Sequence, residues 1–446
     1  MKQAQAKALD IRQFIDDQPF SAFQLQTVLI CGILVFMDGF DAQAMGYVAP
    51  ALTAQFGITR GALGPVLSSG LVGMMVGALI SGPIADRFGR KPVLVISAII
   101  FGLGSLITAT ATSIESLIAF RLLTGLGLGG AMPNAIALTS EYAPKRIRAT
   151  TVMTMFCGFS IGAAVGGFAA AGLISRFGWQ SVFIVGGVFP VLIGLGAIFA
   201  LPESIRFLVV SGKNRDKAVA YLSKIAPKAG PFGELTPGAD EHGSSGSFVV
   251  KELFSGGRGA VTMLIWVMFF MNLLNLYFLN SWLPTVMSDS GIAVQTAILI
   301  TTLFQIGGAV GTLLLGRVVD RFLTFTVLAW TYLFAGVCIF LIGESGATVA
   351  FLIMSVFAAG FCVVGGQTAS NALTAEFYPT AMRSTGVGWA LGIGRVGSII
   401  GPTLGGVLLS MADEARSVFW MAAIPPVIAM TAAFAAASLL KKAKSR

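Results

Sequence analysis

Twelve stretches of predominantly apolar residues alternate with short polar segments along the chain. They lie near 25–47, 62–82, 92–112, 116–138, 150–173, 180–201, 260–283, 295–316, 324–342, 348–370, 384–408 and 417–439. A bilayer core about 30 Å thick takes about 20 helical residues at a rise of about 1.5 Å each, so every stretch is long enough to cross once. The ninth and tenth are divided only by the turn around Gly343 to Ala347. The stretches are Gly-rich with helical periodicity and lack the period-two alternation of a membrane barrel, which predicts a helical bundle. One long polar segment, Glu203 to Arg258, separates the first six from the last six.

Composition agrees with this pattern. Of 446 residues, 55% are hydrophobic and only 11% are charged, against about 25% charged in a soluble domain. Too little polar surface exists to cover a water-exposed fold. The net charge of +9 would suggest nucleic acid in a soluble protein, but its distribution gives another reading. Three of the 29 cations, Arg60, Arg176 and Arg416, fall in segments on one side of the expected membrane. Two more, Arg121 and Arg395, fall inside spans, and the remaining 24 fall on the other side. That asymmetry predicts both termini in the cytoplasm and an inner-membrane, multi-pass protein with no nucleic-acid partner. The expected organisation is a cytoplasmic segment 1–24, a six-helix bundle 25–202, a cytoplasmic loop 203–259, a second bundle 260–440 and a basic tail 441–446.

Two inventories narrow the chemistry. Cys31, Cys157, Cys338 and Cys362 sit in hydrophobic stretches without CxxC spacing, which indicates neither a disulfide framework nor a metal site. The first span follows Asp16, Asp17 and Pro19 and lacks a short apolar region with a small-residue cleavage site, so it reads as an uncleaved helix. With no nucleophile, metal or phosphate-loop constellation, an enzyme is not expected.

The halves repeat. Asp86-Arg87-Phe88 recurs as Asp320-Arg321-Phe322 at an offset of 234, and Glu141 with Arg148 recurs as Glu376 with Arg383 at 235. Parallel repeats related by an axis along the membrane normal are a transporter architecture, with substrate between the halves near mid-membrane. In the first span of each half Asp38 aligns with Asn272 and Asp41 with Asn275, both at 234. Residues three apart share a helix face, so each pair is placed to line one cavity. Acids in one half and amides in the other suggest protons handled on one side and neutral hydrogen bonds offered on the other.

Charge inside a membrane costs roughly 2.5–3.5 kcal/mol on insertion scales and marks functional candidates. Outside loops and span boundaries only Asp38 and Asp41 remain among the acids, and the sole histidine, His242, is in the central segment. One of these two aspartates is the expected proton carrier. Arg121 lies at a similar depth to Asp41, which predicts an ion pair between them, coupled to protons or merely static. Arg395 falls near the midplane in Trp389-Ala-Leu-Gly-Ile-Gly-Arg395, where a guanidinium matches a planar carboxylate and glycines leave room for a ligand. Tyr277, Trp389, Phe304 and Phe270 are candidate aromatic walls. Asn272, Asn275, Asn280, Gln305 and Gln43 are candidate hydrogen-bonders to substrate, or interhelical contacts. The short loops supply gate candidates: Gly82 and Gly89 for the turn, Asp86 with Arg87 and Arg90, Glu141 with Arg146 and Arg148, Asp320 with Arg321, and Glu376 with Arg383.

These motifs together resemble the major facilitator superfamily. Gly82-Pro-Ile-Ala-Asp-Arg-Phe-Gly-Arg-Lys91 looks like its signature loop, Arg121-Leu-Leu-Thr-Gly125-Leu-Gly-Leu-Gly129 like its fourth-helix motif, and Pro202-Glu-Ser-Ile-Arg206 like the segment after helix six in many importers. The second loop departs from the pattern, with Leu-Thr-Phe after Phe322 in place of Gly-Arg-Lys. Asp38-Gly-Phe-Asp41, Met132-Pro-Asn134 and Gly-Ile-Gly-Arg395 are similar to the aromatic acid:proton symporter family, in particular 4-hydroxybenzoate and protocatechuate permeases. The resemblance implies an all-α membrane protein of two pseudo-symmetric six-helix bundles, the major facilitator fold. It also implies uptake of aromatic carboxylates for catabolism by proton symport, driven by the proton gradient without a cofactor. Asp38, Asp41, Arg121 and Arg395 match the essential residues of that family, and the protein is expected to work as a monomer in the bilayer. An efflux antiporter of the same fold is the alternative; such antiporters carry a Gly-Pro motif in helix five, where this chain reads Gly158-Phe-Ser-Ile-Gly162.

Overall fold

The computed structural model describes residues 9–212, 214–229, 232–236, 250–322, 324–344, 348–379, 382–411 and 415–444. Among them are twelve helices long and apolar enough to cross a membrane. In chain order these are α1 (Ala22–Phe56), α2 (Arg60–Phe88), α3 (Arg90–Thr108), α4 (Ile114–Tyr142), α5 (Arg148–Phe177) and α6 (Gln180–Ala200). The second half holds α7 (Gly259–Asp289), α8 (Val294–Phe322), α9 (Phe325–Glu344), α10 (Val349–Phe377), α11 (Arg383–Met411) and α12 (Ile424–Lys444). The last is preceded by a separate helix, Ala415–Ala422, so the twelfth apolar stretch is broken before Pro425 and Pro426. Proline tolerates the first turn of a new helix and ends an old one.

Local chemistry sets the helix ends. Ser21 and Gln24 form a reciprocal capping box at the start of α1, and Ser113 and Ser116 do the same for α4. Gly57 ends α1 at φ +61°, a left-handed conformation that glycine adopts without strain.

Small residues let the helices approach within each half. A Cβ on Gly125 of α4 would collide with the backbone of Gly70 in α2, and one on Gly162 of α5 with Phe36 of α1. The second half repeats both seams: Gly360 of α10 abuts Phe304 of α8, and Gly397 of α11 abuts Phe270 of α7. In a bilayer, where lipid is as apolar as leucine, close packing of this kind holds helices together.

Between the halves, α1 meets α7, α2 meets α11 and α5 meets α8. Ser68 donates to Ile399 O at 2.6 Å and lies 2.8 Å from Thr403 Oγ1, and Arg60 pairs with Asp289 at 2.7 Å. All of these contacts lie toward the end away from the termini. On that side Gly64 packs against Thr403 and Gly46 against Asn280 O, whereas a Cβ on Gly82, Gly388 or Gly392 toward the other end would meet nothing within 4 Å. Among the described residues the α2–α11 seam is thus closed at one end and shows no comparable close contact at these glycines toward the end bearing the termini.

The polar segment after α6 is more ordered than a loop. It contains helices Ile205–Val210 and Arg215–Ile225, and Leu235–Thr236 pairs in parallel with Leu9–Asp10. The amphipathic helix Ile11–Asp17 buries Ile11 and Ile15 in the same cluster as Ile205, Leu208 and Leu222. His242 lies outside the described residues.

Candidate functional site

The centre of the molecule is built on α1. Gly39 lets this helix lie on the backbone of Phe159 in α5, and the flanking Asp38 and Asp41 are 2% and 1% exposed. Arg121 of α4, 5% exposed, meets Asp41 with both prongs: Nη1 donates to Oδ1 at 2.9 Å and Nη2 to Oδ2 at 2.7 Å. Gly70 of α2 leaves room beside the guanidinium, which lies 5.5 Å from the ring centroid of Phe183 in α6. A buried ion pair survives only with such geometry, because removing either partner strands the other charge at a cost of about 3–5 kcal/mol. The two charges neutralise one another.

Asp38, one turn away, is different. Its Oδ1 is buried with no hydrogen-bond partner among the described residues, and it sits within electrostatic reach of Asp41 and Arg395. Arg395 of α11 is half-buried at the boundary between the halves. Its Nη1 donates to Tyr277 Oη of α7 at 3.3 Å and lies 3.4 Å from Met74 Sδ of α2. It forms no ion pair with a described carboxylate. Among the described residues, central charge is thus one ion pair, in which Arg121 Nε has no hydrogen-bond partner, plus one acid and one guanidinium outside any ion pair.

The amides divide. Asn272 donates to Val363 O at 3.2 Å and Gln367 Oε1 at 2.8 Å, both on α10, and Gln305 donates to Asn280 Oδ1 at 2.8 Å. These are helix-to-helix contacts. Asn275 is buried with both side-chain polar atoms unpartnered among the described residues, and Gln43 Oε1 is likewise unpartnered among them. Tyr277 stands beside Arg395 as its candidacy requires. Trp389 does not: it is 42% exposed and stacks on Trp266 at 5.8 Å. Six residues on a helix turn through 240°, which carries Trp389 away from the face of Arg395. At this position the structure places a stack of Trp389 on Trp266 of α7 and no hydrogen bond to Arg395 among the described residues. Phe304 is fully buried in the α8–α10 seam.

At the end bearing the termini the gate candidates sort differently from expectation. Glu141 does not pair with Arg146 or Arg148. It pairs with Arg90 at 2.9 Å and accepts from Ser204, whereas Arg148 pairs with Asp16 at 3.2 Å and Arg146 donates to the carbonyls of Asp16 and Gln18. The ordered N-terminal helix takes these cations, and sequence spacing alone had no means of showing it there. Asp86 and Arg87 are exposed, as is Glu376. The side chains of Asp320, Arg321 and Arg383 lie outside the described ones.

Glu203, Ser204 and Asp16 were absent from the expected gate. Glu203 Oε1 accepts from the backbone N–H groups of Arg90 and Lys91 at 2.8 and 3.2 Å, capping α3, and Tyr142 donates to Glu203 O at 2.7 Å. Gly89, at φ +102°, has no room for a Cβ because the Glu203 carboxylate occupies that space. The signal was present in Pro202-Glu-Ser-Ile-Arg206: proline ends the helix and a carboxylate follows directly.

The chain matches the family model described as sugar (and other) transporter over residues 27–431. It is 46% identical over 436 residues to the 4-hydroxybenzoate transporter PcaK of Pseudomonas putida, covering 96% of each chain. The gallate transporter of Pseudomonas putida is 40% identical, with 96% of this chain and 95% of that one covered. The 3-(3-hydroxy-phenyl)propionate transporter of Escherichia coli K12 is 36% identical, with 90% and 91% covered. Among solved structures, a D-xylose-proton symporter superposes with a TM-score of 0.72 at 18% identity, over 92% of this chain and 97% of that one. The xylose transporter XylE from E. coli, in a partially occluded inward open conformation, gives 0.70 at 16%, over 92% and 98%. At these identities the structures establish the fold.

Proposed function

From the premise that the chain belongs to the sugar (and other) transporter family of the major facilitator superfamily, and is a transporter and not an enzyme, we propose that it imports a hydroxybenzoate-type aromatic carboxylate by proton symport. The observation that carries this reading is the unpaired guanidinium of Arg395 at the boundary between the halves, beside the hydroxyl of Tyr277. A planar fork of donors with no internal carboxylate is the group that a carboxylate ligand completes. The names of the relatives supply the ligand class: 4-hydroxybenzoate, gallate and 3-(3-hydroxyphenyl)propionate each pair a carboxylate with a hydroxylated ring.

Proton coupling follows from charge. A substrate anion on Arg395 brings one negative charge into a centre that already holds the uncompensated Asp38. With Arg395 engaged by the substrate, an ionised Asp38 would be left without a compensating cation in a low-dielectric site, so substrate entry favours a protonated Asp38. Asp41, bound through both oxygens to Arg121, is the poorer carrier because protonating it strands a buried cation. Asp38 is therefore the proton site and the Asp41–Arg121 pair its fixed frame.

In alternating access the α2–α11 seam opens on one side as it closes on the other. With the termini in the cytoplasm, as the Lys/Arg asymmetry supports, the end without these close contacts faces inward. The exposed Asp86 then closes against neighbouring helix ends and basic residues when this side shuts. The reading places the protein in the inner membrane as a monomer feeding ring catabolism.

Uptake of labelled aromatic acids into proteoliposomes tests this proposal. An imposed inward proton gradient should drive accumulation of 4-hydroxybenzoate or a hydroxylated analogue above equilibrium. Accumulation of no acid in the panel, or accumulation indifferent to the gradient, would overturn it.

A further inference from the structure

Of the two cations within the spans, Arg121 is taken by the carboxylate of Asp41, whereas Arg395 is held by uncharged groups. Its Nη1 carries two hydrogens and has two acceptors: Tyr277 Oη of α7 at 3.3 Å and, across the boundary between the halves, Met74 Sδ of α2 at 3.4 Å. Among the described residues Nη2 and Nε donate to nothing, and unlike Nε of Arg121 they are not buried. One corner of the guanidinium is therefore occupied and the Nη2–Nε edge is left open. A carboxylate accepts two parallel hydrogen bonds from such an edge.

Both partners of this contact are seated firmly. A Cβ on Gly125 of α4 would lie 2.9 Å from Met74 N, and one on Gly129 would collide with Met74 O. These glycines follow Arg121 at intervals of four residues, so the helix that carries the buried ion pair also fixes the main chain of the methionine. On the other side Gly394 and Gly397 seat α11 against Phe269 and Phe270 of α7, the helix of Tyr277. Further out on α2 and α11, Ser68 bonds Ile399 O and lies against Thr403. The Met74–Arg395 contact continues that line of polar contacts toward mid-membrane.

The two acceptors suit a cation that must stay available. A thioether is a weak acceptor and a phenol a neutral one, so together they satisfy two N–H groups without cancelling the charge. A carboxylate in place of Met74 would cancel it, as Asp41 does for Arg121. A leucine there would leave one N–H without an acceptor beside apolar side chains. We infer that Met74 is a positioning residue of the carboxylate site: with Tyr277 it pins Nη1 and turns the Nη2–Nε edge toward the substrate. This rests on the reading of Arg395 as the receptor of the carboxylate. Because Met74 belongs to the first half and Tyr277 to the second, the site is complete only when both halves contribute, and affinity for the acid depends on how α2 sits against α11.

Equilibrium binding of labelled 4-hydroxybenzoate to the purified full chain tests the assignment. The wild type should bind saturably and Arg395→Ala should not. Met74→Leu keeps the volume but removes the acceptor, and should bind the acid about threefold more weakly with the melting temperature little changed. Met74→Gln restores an acceptor at similar length and should bind at least about twofold more tightly than Met74→Leu. A packing role for Met74 gives the reverse order, because leucine repacks an apolar contact and a glutamine amide does not. Affinity in Met74→Leu equal to that of the wild type, or weaker binding by Met74→Gln than by Met74→Leu, would overturn the proposal; if Met74→Gln does not fold, Met74→Leu alone decides. Wild-type binding that is absent, or that survives Arg395→Ala, would instead strike the reading of Arg395 itself, and the assignment of Met74 with it.

Discussion

The same helix face carries opposite chemistry in the two halves. In α1 it presents Asp38 and Asp41, with Arg121 of α4 locked onto the second; in α7 it presents Asn272 and Asn275, with the first tied to α10. Both arrangements bind one helix to its neighbour across the bundle. Only the acidic one leaves an ionisable group to spare, and only the amide half contributes the unpaired guanidinium, Arg395. On the proposed function, the duplicated scaffold separates two tasks, the proton on one side and the carboxylate on the other, with the boundary between the halves as the place where they interact.

The largest expected effect lies in the ion pair. Asp41→Leu and Arg121→Leu alone should each lower the stability of the purified protein by about 3–5 kcal/mol, because each strands a buried charge. The double variant should recover most of that loss, as read by thermal melting in detergent, since two apolar residues leave no charge uncompensated. A double variant no more stable than the singles would mean that the pair does more than neutralise itself.

Next comes Arg395→Lys. Replacing a two-pronged donor by a point charge should weaken the apparent affinity for an aromatic carboxylate by roughly tenfold or more, about 1.5–3 kcal/mol for a charged hydrogen bond. Competition by the corresponding neutral amide should be unchanged. Equal loss for acid and amide would assign Arg395 to packing.

Smaller still is Asn272→Leu, which removes two hydrogen bonds to α10 and should cost about 1–3 kcal/mol in stability if the freed acceptors stay buried. Its effect on transport should follow from that loosening, with maximal rate changed more than apparent affinity. Least of all, Trp389→Ala should leave apparent affinity within about twofold of the wild type, the usual scale of a surface change outside a site. A large affinity loss there would bring the residue back to the ligand.

Much of this arrangement was legible in the sequence, because a membrane simplifies the reading. Where water is absent, a span is a run of apolar residues and an internal charge stands out. Asp38, Asp41, Arg121 and Arg395 were therefore found by elimination, and depth counting paired Asp41 with Arg121. What escaped notice depended on side-chain direction or on folding outside the spans. Trp389 shares a helix with Arg395 but not a face. Arg148 and Arg146 turn to Asp16 because a short amphipathic helix docks beneath the first half, and its seven residues are too few to stand out beside twenty-residue spans. Pro202 followed by Glu203 marks a helix end with a carboxylate beside it, but that the chain reverses there to bring this carboxylate onto the start of α3 is a tertiary feature that spacing does not encode.

The central claim is that Asp38 carries the proton while Arg395 receives the carboxylate, and proton flux in Asp38→Asn tests it most directly. In proteoliposomes the wild type should take up protons with labelled 4-hydroxybenzoate and concentrate it under an inward proton gradient. Asp38→Asn should still exchange labelled for unlabelled substrate, yet neither move protons nor concentrate the acid. An Asp38→Asn protein that accumulates substrate against its gradient as the wild type does, with the same proton uptake, would contradict the account.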